Sequence, residues 1–174
     1  MKKVFLGLFA VAALVLTLTT QSCQSDPCKN KECGTHGDCF EGNCTCDVGY
    51  ELDANGQCNT LSNLKFVGLY KVNETCPAAV PEYSSTVTAS VSDITKINIT
   101  NLGNYDCSTG DYIVSASING KNVTIDSQVT CSTTFSGSGT YDATTNKMTI
   151  AYTATYNPGS GTVTDNCTAV FTKQ

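Results

Sequence analysis

Arginine and tryptophan are missing from this 174-residue chain, and it holds a single histidine, His36. All ten basic residues are therefore lysines, set against fifteen acids, for a formal net charge of −5. Two of those lysines, Lys2 and Lys3, lie in the N-terminal leader, so residues 23–174 keep eight. An acidic chain without clustered Lys and Arg is not built for nucleic acid, whose phosphates select such clusters. The same excess argues against electrostatic attachment to anionic lipid. Residues 59–174 contain no histidine, so a serine or cysteine nucleophile there lacks its usual base. His36 has no second histidine beside it, which makes it a surface residue rather than a metal ligand. A long helical pattern is also absent, and aliphatic and aromatic content is high enough to exclude global disorder.

What the chain does have is cysteine, eleven in all. Six fall between Cys28 and Cys58 with the spacing C-x4-C-x5-C-x4-C-x-C-x11-C. A segment this small buries too little surface to offset its chain entropy and needs covalent staples. Four more, Cys76, Cys107, Cys131 and Cys167, lie further on, and Cys23 is left over. An odd cysteine in an exported protein needs an explanation.

The N-terminus supplies one. Met1 to Ser22 opens with Lys2-Lys3, continues as FLGLFAVAALVLTL and ends in Thr19, Thr20 and Ser22. The apolar run is too short to span a bilayer and reads as a secretory signal. With Cys23 directly after Ser22, the segment resembles a bacterial lipoprotein signal. Ser22 fits the position before the cysteine, whereas Thr20 and Gln21 depart from the usual Leu and small residue. The resemblance implies that Cys23 carries diacylglycerol and becomes the mature first residue; two or three acyl chains anchor stably at about 0.8 kcal/mol per buried methylene. It places the protein at the outer membrane or cell surface, with the membrane reached through the lipid.

The C-x-C-x2-Gly-aromatic ending at Cys44, Cys46, Gly49 and Tyr50 completes a pattern that resembles an epidermal growth factor-like (EGF-like) domain over residues 28–58. Six cysteines alone allow fifteen connectivities. The resemblance implies Cys28–Cys39, Cys33–Cys44 and Cys46–Cys58. Short strands are expected at Asp38–Phe40 and Asn43–Thr45, with a minor hairpin turning at Asn55-Gly56. Phe40 and Tyr50 are expected to pack on the disulfides. Many relatives bind calcium through an acidic motif before the first cysteine and an Asn or Asp between the third and fourth. Here QSDPC and CFEGNC leave both elements incomplete, so no calcium, other metal or cofactor is expected.

After the linker 59–63, residues 64–174 turn to Thr, Ser, Asn, Val, Ile and Tyr in period-two alternation. Expected strands are 65–72, 83–91, 95–100, 111–118, 122–128, 132–141, 147–156 and 166–172. Their inward face would collect Phe66, Tyr70, Val87, Ala89, Val91, Ile97, Ile99, Val114, Ala116, Ile118, Val123, Ile125, Phe135, Met148, Ile150, Tyr152, Ala169 and Phe171. Asn119-Gly120 is a type I′ hairpin signal. Gly137 and Gly139 at alternate strand positions point to a sharp bend or close backbone approach, not to a phosphate cradle. The expected fold is mainly β, a small disulfide-rich module followed by an antiparallel up-and-down barrel of about eight strands, with a β-sandwich as the alternative. In a meander, Cys107 before the fourth strand lies beside Cys131 after the fifth. Closure of the first strand on the eighth brings Cys76 to Cys167, so both pairs follow from one barrel.

The stretches TKINITNLGNY, VTIDSQ, FSGSGTYD and CTAVFTKQ resemble the small lipocalin-like barrel domains of bacterial surface lipoproteins. That resemblance implies the eight-stranded barrel and no chemistry. Conceivable carboxylate pairs, Asp106 with Asp111 and Asp126 with Asp142, fall mostly at turns, where Asp is favoured for local hydrogen bonding. No catalytic residues are expected. Three functions stay open: a recognition module for an extracellular protein or glycan, a carrier of a small apolar ligand, and a structural accessory subunit of an outer-membrane complex.

Overall fold

A computed structural model describes residues 26–77 and 81–174. The expected leader 1–22 and the expected lipidation site Cys23 lie outside the described residues. Among the described residues are twelve strands and two short 3-10 helices. The first four strands are β1 (Gly37–Phe40), β2 (Asn43–Cys46), β3 (Tyr50–Glu51) and β4 (Thr60–Leu61), which pair as two antiparallel hairpins. Disulfides Cys28–Cys39, Cys33–Cys44 and Cys46–Cys58 tie them together. Tyr50 stacks on His36 at 3.7 Å between ring centroids, while Phe40 is 67% exposed and does not pack on the disulfides as expected. Phe40 pairs with Asn43 at the tip of the β1–β2 hairpin, and its side chain is turned to solvent there. Residues 59–63, read from composition as a linker, instead carry β4 and then bury Ser62 and Asn63.

The remaining strands are β5 (Gly68–Thr75), β6 (Glu82–Ala89), β7 (Lys96–Thr100), β8 (Ile113–Asn119), β9 (Asn122–Thr130), β10 (Thr133–Asp142), β11 (Lys147–Tyr156) and β12 (Val163–Lys173). Each pairs antiparallel with its neighbours in sequence, and β12 pairs back onto β5, so the sheet closes as an eight-stranded barrel and not as a sandwich. Period-two alternation explains why these segments form strands: each puts one row of apolar side chains inward and Thr, Ser and Asn outward. Inward residues from all eight strands pack into one cluster on the barrel axis, from Phe66, Tyr70 and Phe171 to Phe135 and Tyr152. An eight-stranded barrel has an interior just wide enough for such filling.

Gly137 faces Tyr152 and Gly139 faces Ile150 across β10 and β11. A Cβ on Gly137 would lie 2.5 Å from the Ala151 carbonyl, and one on Gly139 would meet the Thr149 carbonyl, so the backbones approach too closely for a side chain. The register of β10 against β9 shifts between Phe135 and Gly137, the bulge that bends the strand.

Three expectations at strand ends are corrected. Val91 is not inward but fully exposed, because the chain leaves the sheet after Ala89 and Asp93 takes the Thr95 N–H at 2.9 Å to form a turn. Lys65 and Phe66 form part of a 3-10 helix (Leu64–Phe66) and not the start of β5, although Phe66 still fills the barrel's end. The β8–β9 turn is Gly120-Lys121, since Asn119 pairs with Asn122. Only Gly120 of these two has positive φ, 56°, and glycine in the first central place is the requirement of a II′ turn.

The antiparallel order gives the barrel two ends. The proximal end, where the chain arrives from the disulfide module, carries Lys65, Lys96 at the start of β7, Lys121 in the β8–β9 turn, Lys147 at the start of β11 and Lys173 at the end of β12. Asp93 and Asp142 are the acids there. The distal end carries Glu74, Glu82, Asp106, Asp111 and Asp165. Residues 23–60 hold seven acids and two lysines, so an acidic module meets the lysine-rich end. The Lys65 Nζ–Glu51 pair at 2.6 Å, the Asn63 Nδ2 bond to the Lys96 carbonyl at 3.3 Å and the seat of Gly49 against Ile94 form that junction.

Candidate functional site

The distal end is where polar chemistry concentrates. Glu74 follows Tyr70 and Val72 on the inward face of β5, and Asp165 precedes Cys167, Ala169 and Phe171 on that of β12. Glu74 is 7% exposed and Asp165 4% exposed. Buried carboxylates are costly unless neutralised or hydrogen-bonded. Around them stand the phenols of Tyr83, Tyr105, Tyr112, Tyr152 and Tyr156. Tyr152 Oη donates to Glu74 Oε1. Tyr105 and Tyr156 donate to Asp165 Oδ2 at 3.4 and 3.1 Å.

The second oxygen of Glu74, Oε2, is buried and receives no well-formed hydrogen bond, although the Tyr83 hydroxyl lies beside the carboxylate. Burial therefore pushes the Glu74 carboxyl above the usual carboxylate range, with Tyr152 and Tyr83 pulling it partly back. Burial also raises the tyrosines: Tyr112 to about 12, and Tyr83, Tyr105 and Tyr152 upward with the neighbouring carboxylates adding to the shift. These phenols stay protonated and act as donors throughout the ordinary pH range.

The segment 101–112 folds over this end. Asn101 adopts left-handed backbone, φ 55°, and its side chain ties the two ends of the segment. Its Nδ2 donates to Asp111 Oδ1 at 2.6 Å while its Oδ1 accepts the Tyr112 N–H at 2.9 Å. Tyr112 Oη donates to the Leu102 carbonyl at 2.5 Å and accepts the Tyr105 N–H at 3.1 Å. Gly103 N–H donates to Tyr83 Oη at 2.8 Å. A side chain at Gly103, φ 82°, would run into the Tyr105 ring and the Tyr152 hydroxyl, so only glycine fits. Tyr105 and Tyr112 pack on Phe135 with ring centroids 5.7 and 5.8 Å away, which joins the cap to the core.

Two disulfides fasten the same end. Cys107–Cys131 ties the cap to the β9–β10 turn, and Cys76–Cys167 joins β12 to the residue after β5, at the seam where the barrel closes. Tyr105 Oη lies 3.8 Å from each sulfur of the latter bond. Glu74, Cys76 and Cys167 bring one carboxylate oxygen and two sulfurs within 4.8 Å of each other. The sulfurs are bonded to one another, so no thiolate is offered to a metal. In the module, Asp26 Oδ1 accepts the Cys28 N–H at 2.9 Å and Asn43 Nδ2 donates to the Glu41 carbonyl at 3.4 Å.

Of the candidate carboxylate pairs, Asp106 and Asp111 line one surface depression of the cap, whereas Asp126 lies within β9 and Asp142 at the end of β10. Asp142 caps its own turn, accepting from Thr144 N–H at 2.9 Å and from the Thr145 hydroxyl at 2.7 Å, and these bonds hold its carboxyl below the usual range. Asp111 is occupied by Asn101. Glu74 and Asp165 were beyond the expected strands, which stop at 72 and begin at 166. The signal was nonetheless in the sequence, because each carboxylate is in phase with the inward row of its strand. The tyrosine positions of the cap, on an irregular segment, have no such period.

The fold defines a protein class, an antiparallel eight-stranded barrel preceded by a disulfide-rich module. No family model matches the chain, and no curated protein matches it. Among solved structures, a rhizavidin–biotin complex is similar with a TM-score of 0.43 and 10% identity, over 62% of this chain and 91% of that one. A likeness at that level says nothing of ligand or activity.

Proposed function

We propose that this is a non-enzymatic, lipid-anchored surface protein that recognises an extracellular protein or glycan with the distal end of its barrel. In this reading residues 1–22 are removed, Cys23 carries the lipid, residues 24–27 are a short spacer, and the EGF-like module of residues 28–58 is the stalk. Residues 64–174 are the recognition domain at the outer membrane or cell surface. The observation that carries the reading is the asymmetry of the barrel. The acidic module occupies the lysine-rich end, and the opposite end presents segments 101–112 and 131–132, held by two disulfides and a tyrosine network, beside the exposed 157–162 turn. Preorganised loops lose little entropy on binding, which is what a recognition face needs. The filled axis makes the interior a folding core in this reading.

Two measurements test it. Metabolic labelling with a radioactive fatty acid should mark the native protein and not Cys23→Ala; no label, or label that survives the substitution, removes the anchor. Crosslinking on intact cells followed by partner identification should trap a protein or glycan. An apolar molecule that co-purifies with the barrel in stoichiometric amount would instead favour a carrier.

A further inference from the structure

We propose that Glu74 is a proton-operated latch that holds segment 101–112 closed over the distal end, so that the presented face loosens as pH rises. This deepens the recognition reading above and rests on it, since the segment it governs is part of the proposed contact face. The geometry is a short chain of contacts from a buried carboxyl to the cap. Glu74 Oε1 takes the Tyr152 hydroxyl, and the Tyr83 hydroxyl beside Glu74 holds the Gly103 N–H at 2.8 Å. The groups that face Glu74 are Tyr83 from β6, Tyr105 and Tyr112 from the cap, Tyr152 from β11 and the Cys76–Cys167 bond, with Asp165 of β12 lying beyond Tyr105 and bonded to its hydroxyl. None of them is a cation. An ionised Glu74 is thus a buried charge whose Oε2 has no partner, whereas a protonated Glu74 is a neutral group among phenols.

Opening is local because the cap is hinged. Segment 101–112 is tied end to end by Asn101 and pinned at its middle by Cys107–Cys131, so the part free to lift is 102–105, and lifting it breaks the Gly103–Tyr83 bond, the Tyr105 contacts and the burial of Leu102. Lifting the cap lets water reach the carboxylate and returns Glu74 towards its ordinary titration range near 4.5. Burial raises the midpoint in the closed form, so the closed form binds the proton more tightly. Closure is therefore fully favoured below the ordinary value and is lost as pH rises through the closed form's raised midpoint. One proton gives at most about a tenfold change in the open-to-closed ratio per pH unit across that window.

The test is amide hydrogen exchange on the oxidised, full-length mature protein as a function of pH, expressed as protection factors so that the intrinsic rate cancels. The Gly103 and Tyr105 amides should lose protection with rising pH, by up to about tenfold per unit, while the Ile97 and Ile99 amides of β7 do not. In Glu74→Gln the slope at Gly103 should vanish with the cap closed. A slope that persists in Glu74→Gln, or one abolished by Asp165→Asn alone, overturns the latch. A carbon-13 titration of the Glu74 carboxyl in the native chain needs no variant: a midpoint at or below 4.5 is an equal refutation. Distal crosslinks to a partner without any pH slope would sink the latch and leave the recognition reading standing. A pH slope with every crosslink on the module would do the reverse.

Discussion

The two ends of the barrel solve the same closure problem with different materials. At the proximal end Phe66 plugs the axis against Tyr141, 5.0 Å between ring centroids, and Tyr70 sends its hydroxyl to the Phe66 carbonyl at 2.7 Å. Burial pushes that phenol up to about 12, so it remains a donor. At the distal end the filling is five tyrosines, two carboxylates and a folded-over loop. Apolar burial is non-directional and tolerant of small adjustments, whereas a buried polar network is stable only when every member is satisfied. A chain selected for stability alone had an apolar plug available, as the proximal end shows. The polar alternative, with its stranded Glu74 oxygen, is the feature on which the proposed distal recognition face and its latch rest.

Substitutions can break the comparison, starting with the largest expected effect. Replacing both Cys76 and Cys167 by serine removes a crosslink between residues 91 apart and should lower stability by about 4–5 kcal/mol, measured by denaturant unfolding without reductant. Loss of exchange protection should begin along the β5–β12 seam. Phe66→Ala should cost about 4 kcal/mol through the cavity left at the proximal plug. Its effect should spread through the core while the distal amides of the cap keep their pH behaviour. If Phe66→Ala instead altered the cap first, the two ends would not be independent.

Gly103→Ala sharpens the distal side of the comparison. The left-handed backbone and the Tyr105 and Tyr152 contacts together should make it destabilising by about 1–3 kcal/mol, with the exchange change confined to segment 101–112. The smallest effect belongs to the module junction. Lys65 and Glu51 are partly exposed, so Lys65→Ala should change global stability by less than about 1 kcal/mol in thermal unfolding, and less again at high salt.

Most of the barrel was legible from period-two alternation, because every strand buries one face and the inward row is apolar. Cysteine positions were legible for a related reason, since a meander has few ways to bring Cys76 and Cys167 together. What escaped was whatever broke the period. Glu74 and Asp165 continue an apolar row with a charge, which reads as the end of a strand. Tyr105, Tyr112 and Gly103 sit on an irregular segment whose shape depends on Asn101 turning left-handed and on partners in distant strands. Val91 misled in the opposite direction, as an apolar residue in phase with the core that the Asp93 turn carries into solvent.

A photoreactive residue placed at Asn104 on the distal cap, at Lys121 on the proximal rim, or at Phe40 on the module compares the three surfaces most directly. On intact cells, Asn104 should give partner adducts at several-fold higher yield than either other position. Adducts from Lys121 or Phe40 with none from Asn104 would contradict a distal recognition face.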